Sequence, residues 1–128
     1  MATANDNIVG GVQSCTVEGY GKLPVSDTAR VSLNKFTKSV SMGVTGDMEV
    51  SLAPRPQFIE VNVTDRASFD IEAMVNDVSG LTVILRHRNG ITRTLIGSLV
   101  EGDPDLDAIT GKGGALRFVG PDLTVRRP

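Results

Sequence analysis

The fold is decided by residues 68–100, which read SFDIEAMVNDVSGLTVILRHRNGITRTLIGSLV. Apolar residues in its first part recur at i, i+3, i+4 and i+7, the spacing of one helical face. They are Ile71, Met74, Val75 and Val78. Ser68 is the expected N-cap, and Gly80 the expected glycine at the C-terminus of the helix. The pattern therefore predicts a helix over 69–78 whose apolar face packs in the core.

A β-hairpin follows the predicted helix directly. Residues 81–85 and 91–100 are apolar runs typical of strands, and Asn89-Gly90 lies between them. An Asn-Gly pair in this position favours a tight two-residue turn in which both residues have positive φ. We expect the rest of the chain to pack around this helix and hairpin.

The remaining sequence alternates apolar and polar residues over short segments, as in residues 28–34, 58–65 and 115–119. With Gly- and Pro-containing turns between them, these segments predict seven to nine antiparallel strands and one helix. The 128 residues are expected to form a single mainly β domain, an antiparallel sandwich or barrel. Residues 1–7 are polar and are expected to be a flexible N-terminal tail.

Residues 36–56 differ from the other strand segments, because their two arms are long and carry scattered apolar side chains. The arms alternate like strands around a tip at 43–47, so they predict a long projecting β-hairpin. An apolar arm on a soluble domain is unfavourable unless a partner covers it, which suggests assembly. Its apolar residues are Phe36, Val40, Met42, Val44, Met48, Val50 and Leu52.

The sequence offers little support for catalysis, a cofactor or a metal. Residues 111–114 read GKGG but lack the first glycine and the Ser or Thr of a phosphate-binding loop. The acidic residues 103–107 fail the later positions of a calcium loop. His87 has no second ligand or nucleophile nearby in sequence, and Cys15 is a candidate buried side chain. We therefore predict a protein that is not an enzyme and has no cofactor.

Charge and hydropathy further limit the partners. The formal net charge is −2, so no global positive field attracts nucleic acid. No apolar run approaches the ~20 residues of a membrane helix, and no membrane association is predicted.

The order of elements resembles that of the tail tube proteins of long-tailed phages, especially the Mu-like contractile group. An N-terminal strand precedes a long arm carrying Val44-Thr45-Gly46, followed by a return strand, the short helix and the 81–99 hairpin. Then come Glu101-Gly102-Asp103-Pro104, a Gly-rich loop and the strand at 115–119. The resemblance extends from about residue 10 to residue 127.

This resemblance implies a structural virion protein located in the tail and assembled in the cytoplasm of a bacterial host. Such subunits form hexameric rings that stack into a hollow tube, through which DNA passes during ejection without specific binding. The implied partners are other copies of the chain, a tail sheath protein, a tape-measure protein, and baseplate or tail terminator proteins. Residues 36–56 would then be the arm that stacks one ring on the next.

Alternation, combined with this resemblance, predicts which polar side chains face the lumen. They are Arg30, Ser32, Glu49, Ser51, Glu60 and Asn62. If Arg30 faces the channel, Glu49 or Glu60 should lie close enough to neutralise it. Val31, Leu33, Val50, Ile59 and Val61 should then face the core.

Three alternatives stay open at the level of sequence. The same fold serves the tube protein of type VI secretion and of contractile injection systems. It also serves baseplate and tail terminator rings. A free-standing β-sandwich binding module is the third.

Overall fold

The computed structural model describes residues 10–128, apart from the side chains of 26–28. This part of the chain forms ten strands and one short helix. In order, they are β1 (Val12–Val17), β2 (Gly21–Lys22), β3 (Val25–Val31), β4 (Phe36–Met42), β5 (Met48–Pro54), β6 (Gln57–Thr64), α1 (Ile71–Val75), β7 (Leu81–His87), β8 (Thr92–Glu101), β9 (Lys112–Gly120) and β10 (Asp122–Arg126). All strand pairs are antiparallel, so the predicted mainly β, antiparallel class is confirmed. The predicted N-terminal tail, residues 1–7, lies outside the described residues.

Eight strands form one curved sheet whose path is open. Its order is β2-β1-β7-β8-β9-β6-β3, with β10 also paired to β8. The predicted alternative of a closed barrel is wrong for the described residues, although β1 and β3 approach each other. Leu23 and Pro24, which connect β2 to β3, explain why the two ends of the sheet do not pair. β2 has only two residues and Pro24 has no N–H to donate, so no ladder joins the two edges.

The sheet turns its corner within β8. The first part of β8 pairs with β7 and β10, and its last three residues pair with β9. Gly97 lies at the bend with φ +69°, a conformation that glycine adopts without steric cost. Next to it, the buried hydroxyl of Ser98 donates to the Leu81 carbonyl at 2.9 Å. The bend folds the two halves of the sheet over a common core.

That core contains the inward-facing residues of the central strands. In β6 every second residue is buried, and Ile59, Val61 and Val63 pack against Leu116 and Phe118 of β9. The predicted inward orientation of Ile59 and Val61 is observed. Burial of such side chains supplies most of the stabilising free energy, at about 25 cal/mol per Å² of apolar surface.

The helix is shorter than the sequence predicts. It covers only Ile71–Val75, and its N-cap is Asp70 rather than Ser68, since the Asp70 side chain accepts from the Ala73 N–H at 3.1 Å. The C-cap is Asn76, so Gly80 does not end the helix. Met74 is fully buried, and Ile71 and Val75 are partly buried against the core. Val78 lies beyond the helix with 85% of its surface exposed, and its prediction as a core residue is wrong.

The turn between β7 and β8 also differs from the prediction. Among the described residues only glycines have positive φ, so Asn89 does not adopt it and Gly90 does, at +92°. Gly90 N–H donates to the His87 carbonyl, and His87 N–H donates to the Ile91 carbonyl. This is a three-residue turn of type I followed by a left-handed glycine. Asn89 contributes through its side chain, which accepts from the Ile91 N–H.

Candidate assembly surfaces

β4 and β5 form a separate two-stranded sheet in which every residue is exposed. Their register pairs Val40 with Val50 and Met42 with Met48 across one face. Ser39 with Ser51, and Ser41 with Glu49, pair across the other. Because side chains alternate along a strand, the hairpin has one apolar and one polar face.

The apolar face carries six of the seven residues predicted for the arm, together with Lys38, and the seventh, Val44, lies in the tip turn. Each of the seven has more than two-fifths of its surface exposed, and Val44 at the tip is fully exposed. A contiguous uncovered apolar surface is unusual on a protein that stays monomeric. The hairpin therefore has the properties of an interaction surface.

Both ends of the hairpin are held by specific hydrogen bonds. At the tip, Gly43 N–H donates to the Asp47 carbonyl at 2.7 Å, and Gly46 has φ +87°. At the base, the Arg55 guanidinium donates to Asn34 Oδ1 at 3.1 Å, and Arg55 N–H donates to the Lys35 carbonyl. The hairpin is thus ordered by its own ladder although it adds nothing to the buried core.

A second surface is the outer face of β3, β6, β9 and the end of β8. Here the register aligns four charged side chains of alternating sign, one from each strand: Arg30, Glu60, Arg117 and Glu101. Arg30 Nη1 lies 3.8 Å from Glu60 Oε2, and Arg117 Nε lies 3.9 Å from Glu101 Oε1. The Arg117 guanidinium also stacks on the Phe58 ring at 3.9 Å. We call these four residues the charged row.

The six predicted lumen residues do not share one surface. Arg30, Glu60 and Asn62 lie on the outer face that carries the charged row, and Glu60 is the neighbour expected for Arg30. Glu49 and Ser51 lie on the polar face of the hairpin. Ser32 is only 5% exposed, and its hydroxyl accepts from the Phe58 N–H, so it is not an open surface residue.

Two residues predicted to face the core are also placed differently. Leu33 is 86% exposed and Val50 is half exposed on the hairpin. β3 ends at Val31, so the alternation on which the Leu33 prediction rested does not continue past that residue. Val31 itself is partly buried against the core.

Sequence reasoning did not single out Arg117, and it named Glu101 only as part of the segment 101–104. A usable signal existed for Arg117, because it alternates with Leu116 and Phe118 in a strand segment and must point outward if they point inward. No such signal existed for its pairing with Glu101, which depends on the register of β8 against β9.

Cys15 and His87, the two side chains with a possible chemical role, have the surroundings of structural residues. Burial raises the pKa of the Cys15 thiol to about 12, which keeps it protonated and unreactive. Arg93 Nη1 lies 2.8 Å from His87 Nε2, and burial together with this cation lowers the pKa of His87.

No group of three His, Cys, Asp or Glu suited to a metal occurs within residues 10–128. In the same part of the chain no helix is long and apolar enough to cross a membrane.

An open antiparallel sheet and an uncovered apolar hairpin are typical of the class of proteins that bury exposed strand edges and apolar surface by assembling with other chains. The family model of the phage tail tube protein matches residues 7–123. The match covers most of the chain, which therefore belongs to the phage tail tube protein family. Membership implies a structural component of the virion tail that assembles with itself and with other tail components. A comparison with individual curated proteins finds no match.

Proposed function

We propose that this chain is the subunit of a tail tube in which hexameric rings stack into a hollow conduit for DNA ejection. The observation that carries the proposal is the β4–β5 hairpin, which has six apolar residues on one uncovered face and a seventh, Val44, at its tip. In the proposed tube this face packs on the neighbouring ring, so residues 36–56 act as the stacking arm. The role is structural and not enzymatic.

The proposed conduit is lined by the outer face that carries the charged row. Its carboxylates alternate with arginines, so the face as a whole presents little uncompensated positive charge. Weak attraction suits a channel, because affinity for DNA rises with each cation free to displace a counterion. Arg30, Glu60 and Asn62 are the predicted lumen residues that fit this face.

The resemblance in element order to the Mu-like group supports a tube inside a contractile sheath. In that setting the outer wall of the tube binds sheath protein, and the tube contains a tape-measure protein during assembly. Its two ends would meet baseplate and terminator proteins. The tube would be assembled in the cytoplasm of a bacterial host.

The stacking role is tested with a pair of variants that differ only in which face of the hairpin they change. Val40→Asp with Val50→Asp places two charges on the apolar face, and Ser39→Asp with Ser51→Asp places two on the polar face. Negative-stain electron microscopy and analytical ultracentrifugation follow assembly as the protein concentration rises.

We expect wild type and the polar-face variant to form tubes or rings, and the apolar-face variant to stay unstacked. Circular dichroism should show the same strand content in all three, since neither change touches the core. Normal tubes from the apolar-face variant would refute the stacking role. A wild-type protein that stays monomeric at every concentration would refute the tube itself.

A further inference from the structure

Positive charge is concentrated in a groove at one end of the subunit. The groove lies between the start of β6 and the end of β10, has a volume of about 430 Å³, and contains Lys35, Arg93 and Arg127. Leu33 and Val125, both exposed, also line it. We call this the cationic groove.

These three cations have no carboxylate partner among the described residues. The two ion pairs found there belong to the charged row and involve none of them. Arg93 instead meets the ring of His87, and burial and the charge of Arg127 lower the pKa of Arg93. Like charges held together without a counter-ion favour binding of an anionic group.

Negative charge is concentrated at the opposite end. Residues 103–107, which we call the acidic loop, carry Asp103, Asp105 and Asp107, all exposed and outside any ion pair that the described residues form. The loop leads into β9, whose Lys112 pairs with Thr64 at the end of β6. The groove contains Gln57 at the start of β6. Eight residues of strand separate the two ends, roughly 25 Å at ~3.3 Å per residue.

We propose that the acidic loop of one copy binds the cationic groove of the next copy, head to tail. The inference rests on the proposed function, because it names the surfaces through which tube subunits meet. Both surfaces also carry apolar groups, since Ile109 beside the loop is 97% exposed and Leu33 in the groove is 86% exposed. A contact between two different surfaces leaves one of them free on each terminal copy, so further copies can add. A ring or a stack requires a contact of this kind.

A second copy fits the groove better than nucleic acid does. Each chain carries one cationic groove and one acidic loop, so a repeating contact neutralises both. A duplex at the groove would leave the acidic loop unpaired, and the net charge of −2 gives the whole molecule no attraction for phosphates.

The test exchanges the charges of the two surfaces. Lys35→Glu with Arg127→Glu reverses the groove, and Asp103→Lys with Asp105→Lys reverses the loop. We expect each double variant alone to raise the protein concentration needed for assembly at least about tenfold, because like charges then face each other. The variant with all four changes keeps the wild-type net charge and should assemble as wild type does.

Lys22→Glu with Arg66→Glu is the matched control, since it removes the same positive charge from exposed positions outside both surfaces. We expect this control to assemble normally, and melting curves show that every variant is folded. If wild type assembles and the groove variant assembles equally well, the head-to-tail contact is refuted while the tube stands. If the four-fold variant fails to recover, the groove has another occupant and the proposal is overturned.

Nucleic acid and free anions are tested directly. Fluorescence anisotropy with a labelled DNA duplex, and calorimetry with inorganic phosphate, compare wild type with the groove variant. We expect neither ligand to bind wild type measurably in physiological salt. Binding of duplex that the groove changes abolish would assign the groove to nucleic acid and overturn the proposal.

Discussion

At the scale of residues, Asp77 joins two segments that are distant in sequence. Its carboxylate accepts from the side-chain hydroxyl and the N–H of Ser79, and from the Tyr20 hydroxyl, which lies in the turn after β1. These hydrogen bonds favour the charged form, so the bond from the Ser79 hydroxyl and then that from Tyr20 lower the pKa of Asp77 from 3.8 to about 2. The carboxylate thus ties the turn after β1 to the segment after α1.

Replacing Asp77 with Asn should lower the free energy of unfolding at neutral pH. In acid the replacement should no longer lower it. A carboxylate whose pKa is lower in the folded state stabilises the fold above its unfolded pKa. The stabilisation is lost as the pH falls from about 4 through about 2. Urea unfolding between pH 7 and pH 2 should therefore show that the difference in the free energy of unfolding between wild type and variant decreases as the pH falls through this range. A difference that is constant with pH would contradict the assignment.

Met74 makes the largest contribution of the short helix to the core. It is fully buried, whereas Val78 is 85% exposed. Met74→Ala should cost about 2–5 kcal/mol in the free energy of unfolding, because it removes buried surface and leaves a cavity. Val78→Ala should change that free energy by less than about 0.5 kcal/mol. Denaturant unfolding measures both, and equal losses would show that the helix packs differently.

At the scale of elements, the corner between the two halves of the sheet depends on close backbone approach. A Cβ at Gly120 would lie 3.2 Å from the Ile96 carbonyl oxygen and 3.2 Å from the Ser98 Cα. Both are backbone atoms of β8 on either side of Gly97, so neither can move without shifting the strand. The close approach of β8 therefore disfavours a side chain at position 120.

Gly120→Ala should destabilise the fold by about 1–3 kcal/mol, as overpacking against a rigid neighbour does. Gly114→Ala, in the same strand, is the control, because its Cβ would meet nothing closer than 3.5 Å. Thermal unfolding of the two variants compares them directly. If both have the wild-type melting temperature, the corner tolerates a side chain and the argument fails.

At the scale of the whole molecule, the side chains proposed to act in assembly are different from those that form the core. The core is enclosed by the curved sheet, and neither the hairpin nor the acidic loop contributes a residue to it. The cationic groove lies on the sheet itself and includes the core residue Leu123, but its charged side chains are outside the core. Changes to these surfaces should therefore alter assembly more than folding. The charged row belongs to the body but faces outward.

Glu60→Lys should leave tubes intact and reduce infectivity at least about tenfold. It removes the carboxylate between Arg30 and Arg117, so the proposed lumen gains cations that retain DNA phosphates. Glu49→Lys on the hairpin is the control, because it is not on that face. Plaque titres and the rate of DNA release measure the effect. Equal titres for Glu60→Lys and wild type would show that the charged row does not line the channel.

Local patterns predict the parts of this structure that depend on neighbouring residues in the chain. Alternation placed Ile59 and Val61 inward, and the spacing of Met74 indicated its buried position. The same patterns failed where an element stopped early, as for Val78 after the helix and Leu33 after β3. Where an element ends depends on caps and pairing partners, which periodicity does not contain.

By itself, the sequence determined the mainly β antiparallel class, a short helix before the β7–β8 hairpin, and a long hairpin at 36–56 that carries scattered apolar side chains. Only the tertiary structure decided that the sheet stays open, that β8 bends at Gly97, and that the charged row aligns across four strands. It also brought Lys35, Arg93 and Arg127 into one groove. The physical reason is range: side-chain periodicity acts over a few residues, whereas register and charge clustering depend on strands far apart in sequence.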